Sequence, residues 1–114
     1  MDSILNSIKE LLGIQKEDTN FDTDIIFHIN TVIATLRQMG VGPQEGFSIE
    51  DASTEWADYI EDLTLLEAVK SYMFMKVKMM FDPPVGSVGE AYKENIRELE
   101  WRLNVQVDPS MEDI

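Results

Sequence analysis

The stretch that most constrains the fold runs from Thr64 to Asp82, TLLEAVKSYMFMKVKMMFD. Wound at about 100° per residue, it forms a helix whose apolar side chains cover most of its circumference. Thr64 and Glu67 match the spacing of a capping box at its start, and Pro83 and Pro84 prevent it from continuing. One stripe of this helix carries the residues that we predict to form the core: Leu66, Val69, Met73, Val77 and Met80. A helix of this kind must be covered on several sides, by its own domain or by a partner.

Shorter amphipathic segments lie on both sides of this helix in the sequence. Residues 3–12, 22–39 and 88–104 repeat apolar residues at helical spacing, whereas 41–53 is an irregular connection rich in glycine. Beyond Asn104 the helical period is lost, which indicates a flexible tail. The sequence therefore predicts an all-α fold: a small helical bundle around a central hydrophobic helix. Its helical domain spans residues 1–105, and its flexible C-terminal tail spans 106–114.

The charge of the chain limits its partners. Nine basic residues against 22 acidic ones give a net charge of −13. A protein that grips a nucleic-acid backbone needs a basic surface, so this composition argues against static DNA or RNA binding. One region concentrates carboxylates: Glu50, Asp51, Glu55, Asp58, Glu61 and Asp62. We interpret this region as a solvated acidic face, and a weak site for a divalent cation is the alternative.

The residues needed for catalysis are scarce. The chain has no cysteine, so thiol nucleophiles are excluded, and a histidine-based triad would depend on His28 alone. His28 flanks the apolar stripe of the second helix, where a core or rim position is the simpler interpretation. No di-iron, EF-hand or phosphate-loop motif is present, and no apolar run approaches the ~20 residues that span a bilayer. The sequence therefore predicts a protein that is not an enzyme, binds no metal or cofactor, and does not enter a membrane.

The central helix has more apolar surface than one small domain needs. Its methionines suit an adaptable protein contact. Lys76 falls within an apolar sector, so its ammonium group must reach the surface or pair with a carboxylate. A carboxylate of a neighbouring subunit is one candidate for this pairing. These features indicate a protein partner rather than a substrate.

Several short motifs resemble a known family. Phe81 to Pro84 reads FDPP, residues 98–104 read ELEWRLN, residues 40–43 form a Gly-Val-Gly-Pro turn, and Trp56 precedes the central helix. In these features, over residues 1 to about 105, the chain resembles the head–tail connector (adaptor) family of long-tailed bacteriophages and prophages. The tail does not match the family pattern.

This resemblance implies a structural protein with no catalytic activity. Such connectors form a ring of about twelve copies below the portal protein of the capsid. The ring extends the DNA channel and docks a stopper or tail-completion protein, and DNA passes without specific binding. The protein would thus lie at the head–tail interface of the virion, after assembly in the cytoplasm of the bacterial host.

The resemblance also suggests where the surfaces of the ring lie. The C-terminal segment of related connectors helps to engage the portal, which makes Val105, Val107 and Met111 candidate portal contacts. A DNA conduit should repel phosphate, so the candidates for facing the channel are the acidic residues Glu50, Asp51, Glu55, Asp58, Glu61 and Asp62.

Two other classes of function compete with the connector hypothesis. One is a small helical regulator whose apolar groove binds a single partner protein or peptide. Symmetry separates the two, because a ring needs two different complementary faces on each subunit whereas a regulator needs one. A metal-dependent hydrolase built on the acidic cluster is weaker, because the chain has a single imidazole.

Overall fold

The fold is made of helices. A computed structural model describes residues 2–107 of the chain, and all statements about the structure concern these residues. They form five helices: α1 (Ile4–Leu11), α2 (Asp22–Gln38), α3 (Trp56–Tyr59), α4 (Leu63–Phe81) and α5 (Gly86–Val107). No strand forms in residues 2–107, where a single antiparallel bridge joins Ser3 and Glu55. The predicted all-α bundle is confirmed.

Helix α4 lies at the centre of the bundle and packs against both α2 and α5. Four of its five predicted core residues are buried: Leu66, Val69, Met73 and Val77. Met80 is 38% exposed, so its assignment to the core is wrong. The last turn of α4 lies at the edge of the bundle, where Met80 lines a surface groove.

The first helix is fastened to the chain that precedes α4. The amide of Ile4 donates to Thr54 O at 3.0 Å, and the amide of Trp56 donates to Asp2 O at 3.0 Å. The indole N–H of Trp56, whose ring is buried, donates to Ser7 Oγ at 3.1 Å. The irregular connection before α4 is therefore tied to the bundle at its C-terminal end.

Helix α5 is longer than its sequence pattern indicates. It begins at Gly86 and continues through Val107, so the predicted boundary between domain and tail at residue 105 falls inside the helix. Two interactions account for the extension. Leu103 is fully buried, and the Asn104 carboxamide donates to Glu100 O at 3.0 Å.

Candidate assembly surfaces

The connection between α2 and α3 is held in place by side chains of the bundle. The carboxamide of Asn30 pairs with the backbone of Ile49, donating to its carbonyl at 3.0 Å and accepting from its amide at 2.8 Å. Phe47 stacks on Tyr59, with ring centroids 4.8 Å apart. Gly42 has a φ of +96°, and a Cβ there would lie 2.9 Å from Tyr59 Cε1. Only glycine fits this position, and the loop is a fixed part of the fold.

This loop and α3 present the acidic cluster to solvent. Five of its six members are exposed, and Glu55 is half-buried. Four of the six accept hydrogen bonds from nearby amides: Asp51 from Ser53, Glu55 and Asp58 from each other in the capping box of α3, and Asp62 from Thr64. The hydrogen bonds from Ser53 lower the pKa of Asp51, which keeps this carboxylate ionised. The cluster is therefore a positioned, negatively charged surface.

The cluster is not arranged as a metal site. Nowhere in residues 2–107 do three or more histidine, aspartate or glutamate side chains converge closely enough to hold a metal ion. The carboxylates of Asp58 and Asp62 instead cap α3 and α4 respectively.

The candidate portal contacts fall at the far end of α5. Val105 is half-buried and Val107 is 38% exposed, both in the last turn of the helix. Val107 Cγ2 would lie 3.6 Å from a Cβ placed on Gly40, so this side chain lies over the end of α2. Met111, the third candidate, lies outside the described residues.

His28 has an aromatic setting. Its ring lies 5.8 Å from that of Phe27 and 6.5 Å from that of Phe81, both edge-on. Its buried Nδ1 has no hydrogen-bond partner in the described part of the chain. The sequence allowed a core or a rim position for His28, and the half-buried side chain lies at the rim, in contact with aromatic rings.

A groove between α4 and α5 was not predicted from the sequence. It has a volume of about 330 Å³ and combines cationic with apolar side chains. Its lining residues are Lys76, Met79, Met80, Lys93, Ile96, Arg97 and Glu100. The sequence indicated that Lys76 places a charge in an apolar sector of α4. It did not indicate which residues of α5 line the groove with it. The α5 residues of the groove share one stripe at helical spacing, which was the signal available in the sequence.

Tyr72 contacts two of the residues that line the groove. This side chain is fully buried, its hydroxyl donates to Glu100 Oε2 at 2.8 Å, and Lys76 Nζ lies 5.9 Å from the centre of its ring. Burial, followed by the hydrogen bond to Glu100, raises the pKa of Tyr72. The phenol therefore stays neutral and holds one carboxylate oxygen of Glu100, a residue that lines the groove together with the three cations.

The comparison with protein families identifies the chain. A family model described as "Phage connector protein" matches residues 4–110, a range that includes all five described helices. The chain belongs to the phage connector family. No curated protein and no solved structure matches it.

Membership in the connector family confirms the resemblance seen in the FDPP and ELEWRLN motifs. The protein is a structural connector of a bacteriophage and is associated with the virion. None of the helices within residues 2–107 is long and apolar enough to cross a membrane.

Proposed function

We propose that this connector forms a ring at the head–tail interface, assembled on the portal in the host cytoplasm. The ring, of about twelve copies, extends the DNA channel and docks the stopper or tail-completion protein. The observation that carries this proposal is the family match over residues 4–110. The role is purely structural, so His28→Gln should alter stability at most.

The distribution of charge supports a conduit. Residues 2–62 contain 13 acidic and 3 basic residues, whereas 63–107 contain six of each. The net negative charge of residues 2–107 therefore comes from the segment 2–62, which contains the acidic cluster. Facing the channel, this surface repels the DNA phosphates, so DNA slides without being bound.

Electron microscopy of the protein incubated with portal complexes tests the ring directly. We expect a closed ring of connector subunits on the portal edge. A twofold dimer, or one connector copy bound to one partner molecule, would instead favour the regulator hypothesis, because neither uses two different faces per subunit.

The channel-facing surface has its own test. Glu50→Gln, Asp51→Asn, Glu55→Gln and Asp58→Asn remove four charges of the cluster, and Asp58→Asn keeps a side-chain oxygen that can accept from the Glu55 amide. We expect the rings to form and DNA to pass more slowly through particles that contain them. DNA release at the rate of the unmodified particles would show that these residues face elsewhere.

The portal contact is assigned to the end of α5 and the residues that follow. Val105, Val107 and Met111 supply apolar anchors, and the seven residues 108–114 can reach about 25 Å when extended. Deleting residues 108–114 should leave the thermal unfolding curve unchanged and abolish attachment to the portal. Val107→Ser should weaken attachment. The control is Val88→Ser, at another exposed valine near the start of α5.

The loop of residues 42–53 is our candidate for a subunit or stopper contact. The hydrogen bonds to Asn30 and the stacking on Tyr59 hold it in one conformation, which lowers the entropy lost on docking. Ser48→Arg places a large cation on this exposed surface. We expect it to block stopper binding while the ring on the portal still forms.

A further inference from the structure

We propose that neighbouring copies meet by inserting Leu63 of one subunit into the α4–α5 groove of the next. This inference rests on the proposed ring and names the two faces that join its subunits. The occupant of the groove is a second copy of this chain.

The groove provides a basic rim around an apolar floor. Lys76, Lys93 and Arg97 supply three of the nine basic residues of a strongly acidic chain. In residues 2–107 Lys76 has no carboxylate partner, and its ammonium lies over the Tyr72 ring. Met79, Met80 and Ile96 form the floor, and methionine adapts readily to an incoming side chain.

The other two cations of the groove are available to a partner. Lys93 pairs with Glu90 and Arg97 with Glu94, each one turn away on the exposed surface of α5. Such solvent-exposed pairs contribute little free energy, so they exchange easily for carboxylates of another subunit.

The complementary feature is the start of α4. Leu63, the first residue of α4, is 76% exposed, the larger exposed fraction of the two exposed leucines in residues 2–107. Glu61 and Asp62 precede it directly, and both are exposed. An apolar side chain beside two carboxylates is complementary in polarity and in sign of charge to an apolar floor beside three cations.

These two features lie at opposite ends of the same helix. Leu63 and Met80 are 17 positions apart in α4, or about 25 Å along its axis. One subunit therefore cannot fill its own groove with its own leucine, whereas successive copies can join head to tail. Head-to-tail contacts are the kind that close into rings. The acidic cluster then lines the channel and ends, at Glu61 and Asp62, on the boundary with the neighbour.

Cysteine cross-linking tests this contact, because the chain contains no cysteine. The variant with Leu63→Cys and Met80→Cys is oxidised under conditions in which the unmodified protein forms rings on portal complexes. A disulfide requires Cα atoms closer than about 7 Å, so the two positions cannot join within one subunit. We expect a ladder of covalent multimers on a non-reducing gel. The single variant Leu63→Cys should give dimers at most, because each subunit then has one cysteine.

Matched variants test whether the chemistry of the contact matters. Leu63→Asp, and the pair Lys93→Glu with Arg97→Glu, should each weaken assembly at least about tenfold. The controls are Leu11→Asp, at another exposed leucine, and Arg102→Glu, at another ion-paired arginine of α5. Both controls should assemble normally, and circular dichroism checks that each variant is folded.

The outcomes separate this inference from the ring itself. Rings that form without the ladder, or a ladder of equal strength from Leu11→Cys with Met80→Cys, would overturn the groove contact and leave the ring standing. Absence of both rings and ladder would overturn the two proposals together.

Discussion

At the scale of single residues, Lys9 is the charge that the fold buries most completely. Its side chain has no exposed surface, and its Nζ lies 2.8 Å from Asp22 Oδ1 and 3.0 Å from Lys16 O. The side chain of Asp22 is 25% exposed. The pair joins α1 to the start of α2, and its two members differ in their access to water.

This difference predicts unequal effects of the two substitutions. Asp22→Ala leaves an ammonium buried beside one carbonyl, which should lower the free energy of unfolding by about 3 kcal/mol. Lys9→Met replaces the buried charge with an apolar chain. Asp22 Oδ1 is buried, but the Asp22 side chain as a whole is 25% exposed to water, so this change should cost less. Urea denaturation measures both, with Asp24→Ala in the same helical turn as the control. A larger loss for Lys9→Met would contradict the asymmetry.

Tyr72 predicts a dependence of stability on alkaline pH. Burial and the Glu100 contact raise the pKa of Tyr72, and burial raises that of Tyr59. Because the pKa values are raised in the folded state, the neutral phenols stabilise the fold fully below the unfolded pKa of about 10. This contribution is lost as the pH rises further.

We therefore expect the free energy of unfolding to fall above about pH 10, and to fall less steeply in Tyr72→Phe. Urea denaturation at a series of pH values gives both slopes, and the difference between the two proteins isolates the contribution of Tyr72. Equal slopes for the two proteins would show that the pKa of Tyr72 is the same in the folded and the unfolded state.

At the scale of elements, the ends of helices were harder to predict than their existence. The apolar pattern of α4 predicted a helix from Thr64 to Phe81, and the structure begins it at Leu63. The cap is Asp62, however, and not the Thr64–Glu67 box. The chain is extended and buried at Ile60, so the helix starts soon after it, and Asp62 is the capping side chain closest to that point.

The end of α5 and the α4–α5 groove show a second limit of the sequence. The helical period is lost beyond Asn104, yet α5 continues to Val107. The Asn104 hydrogen bond and the contact of Val107 with the end of α2 support this last turn. Periodicity correctly placed Val77 in the core and wrongly placed Met80 there. It shows which side of a helix a residue lies on, but not whether another element covers that side. The alignment of α4 with α5 determines which residues of α5 lie opposite Lys76. A local sequence pattern does not predict this alignment.

The start of α5 gives a prediction that opposes helix propensity. Gly89 lies in its first turn, where alanine normally stabilises a helix by about 1 kcal/mol relative to glycine. A Cβ at Gly89 would lie 2.6 Å from the carbonyl oxygen of Pro84, and this backbone atom cannot move aside easily. We expect Gly89→Ala to lower the melting temperature, because the FDPP turn would have to open.

Ala91→Gly, at an exposed position two residues further along α5, is the control for propensity alone. A rise in melting temperature for Gly89→Ala would contradict this close packing.

At the scale of the whole molecule, net charge and local charge act over different distances. Each subunit carries −13, and its radius of gyration is 14.2 Å, so repulsion between whole subunits extends over tens of ångströms. The proposed contact between Leu63 with its flanking acids and the groove brings opposite charges within a few ångströms. Added salt screens the long-range repulsion well before it weakens the contact.

Assembly should therefore respond to salt in two stages. The screening length falls from about 30 Å at 0.01 M to about 10 Å at 0.1 M, so ring formation should rise over this range as repulsion between subunits is removed. At about 1 M the length is about 3 Å, and the contacts of Lys76, Lys93 and Arg97 weaken as well. Analytical ultracentrifugation of the protein with portal complexes, across this series, measures the fraction in rings. The variant with Lys93→Glu and Arg97→Glu should assemble at least about tenfold more weakly than the unmodified protein over the range from about 0.01 to 0.1 M, since it lacks the attractive contact. A steady decrease in rings from the lowest salt upward would show that subunit repulsion does not limit assembly.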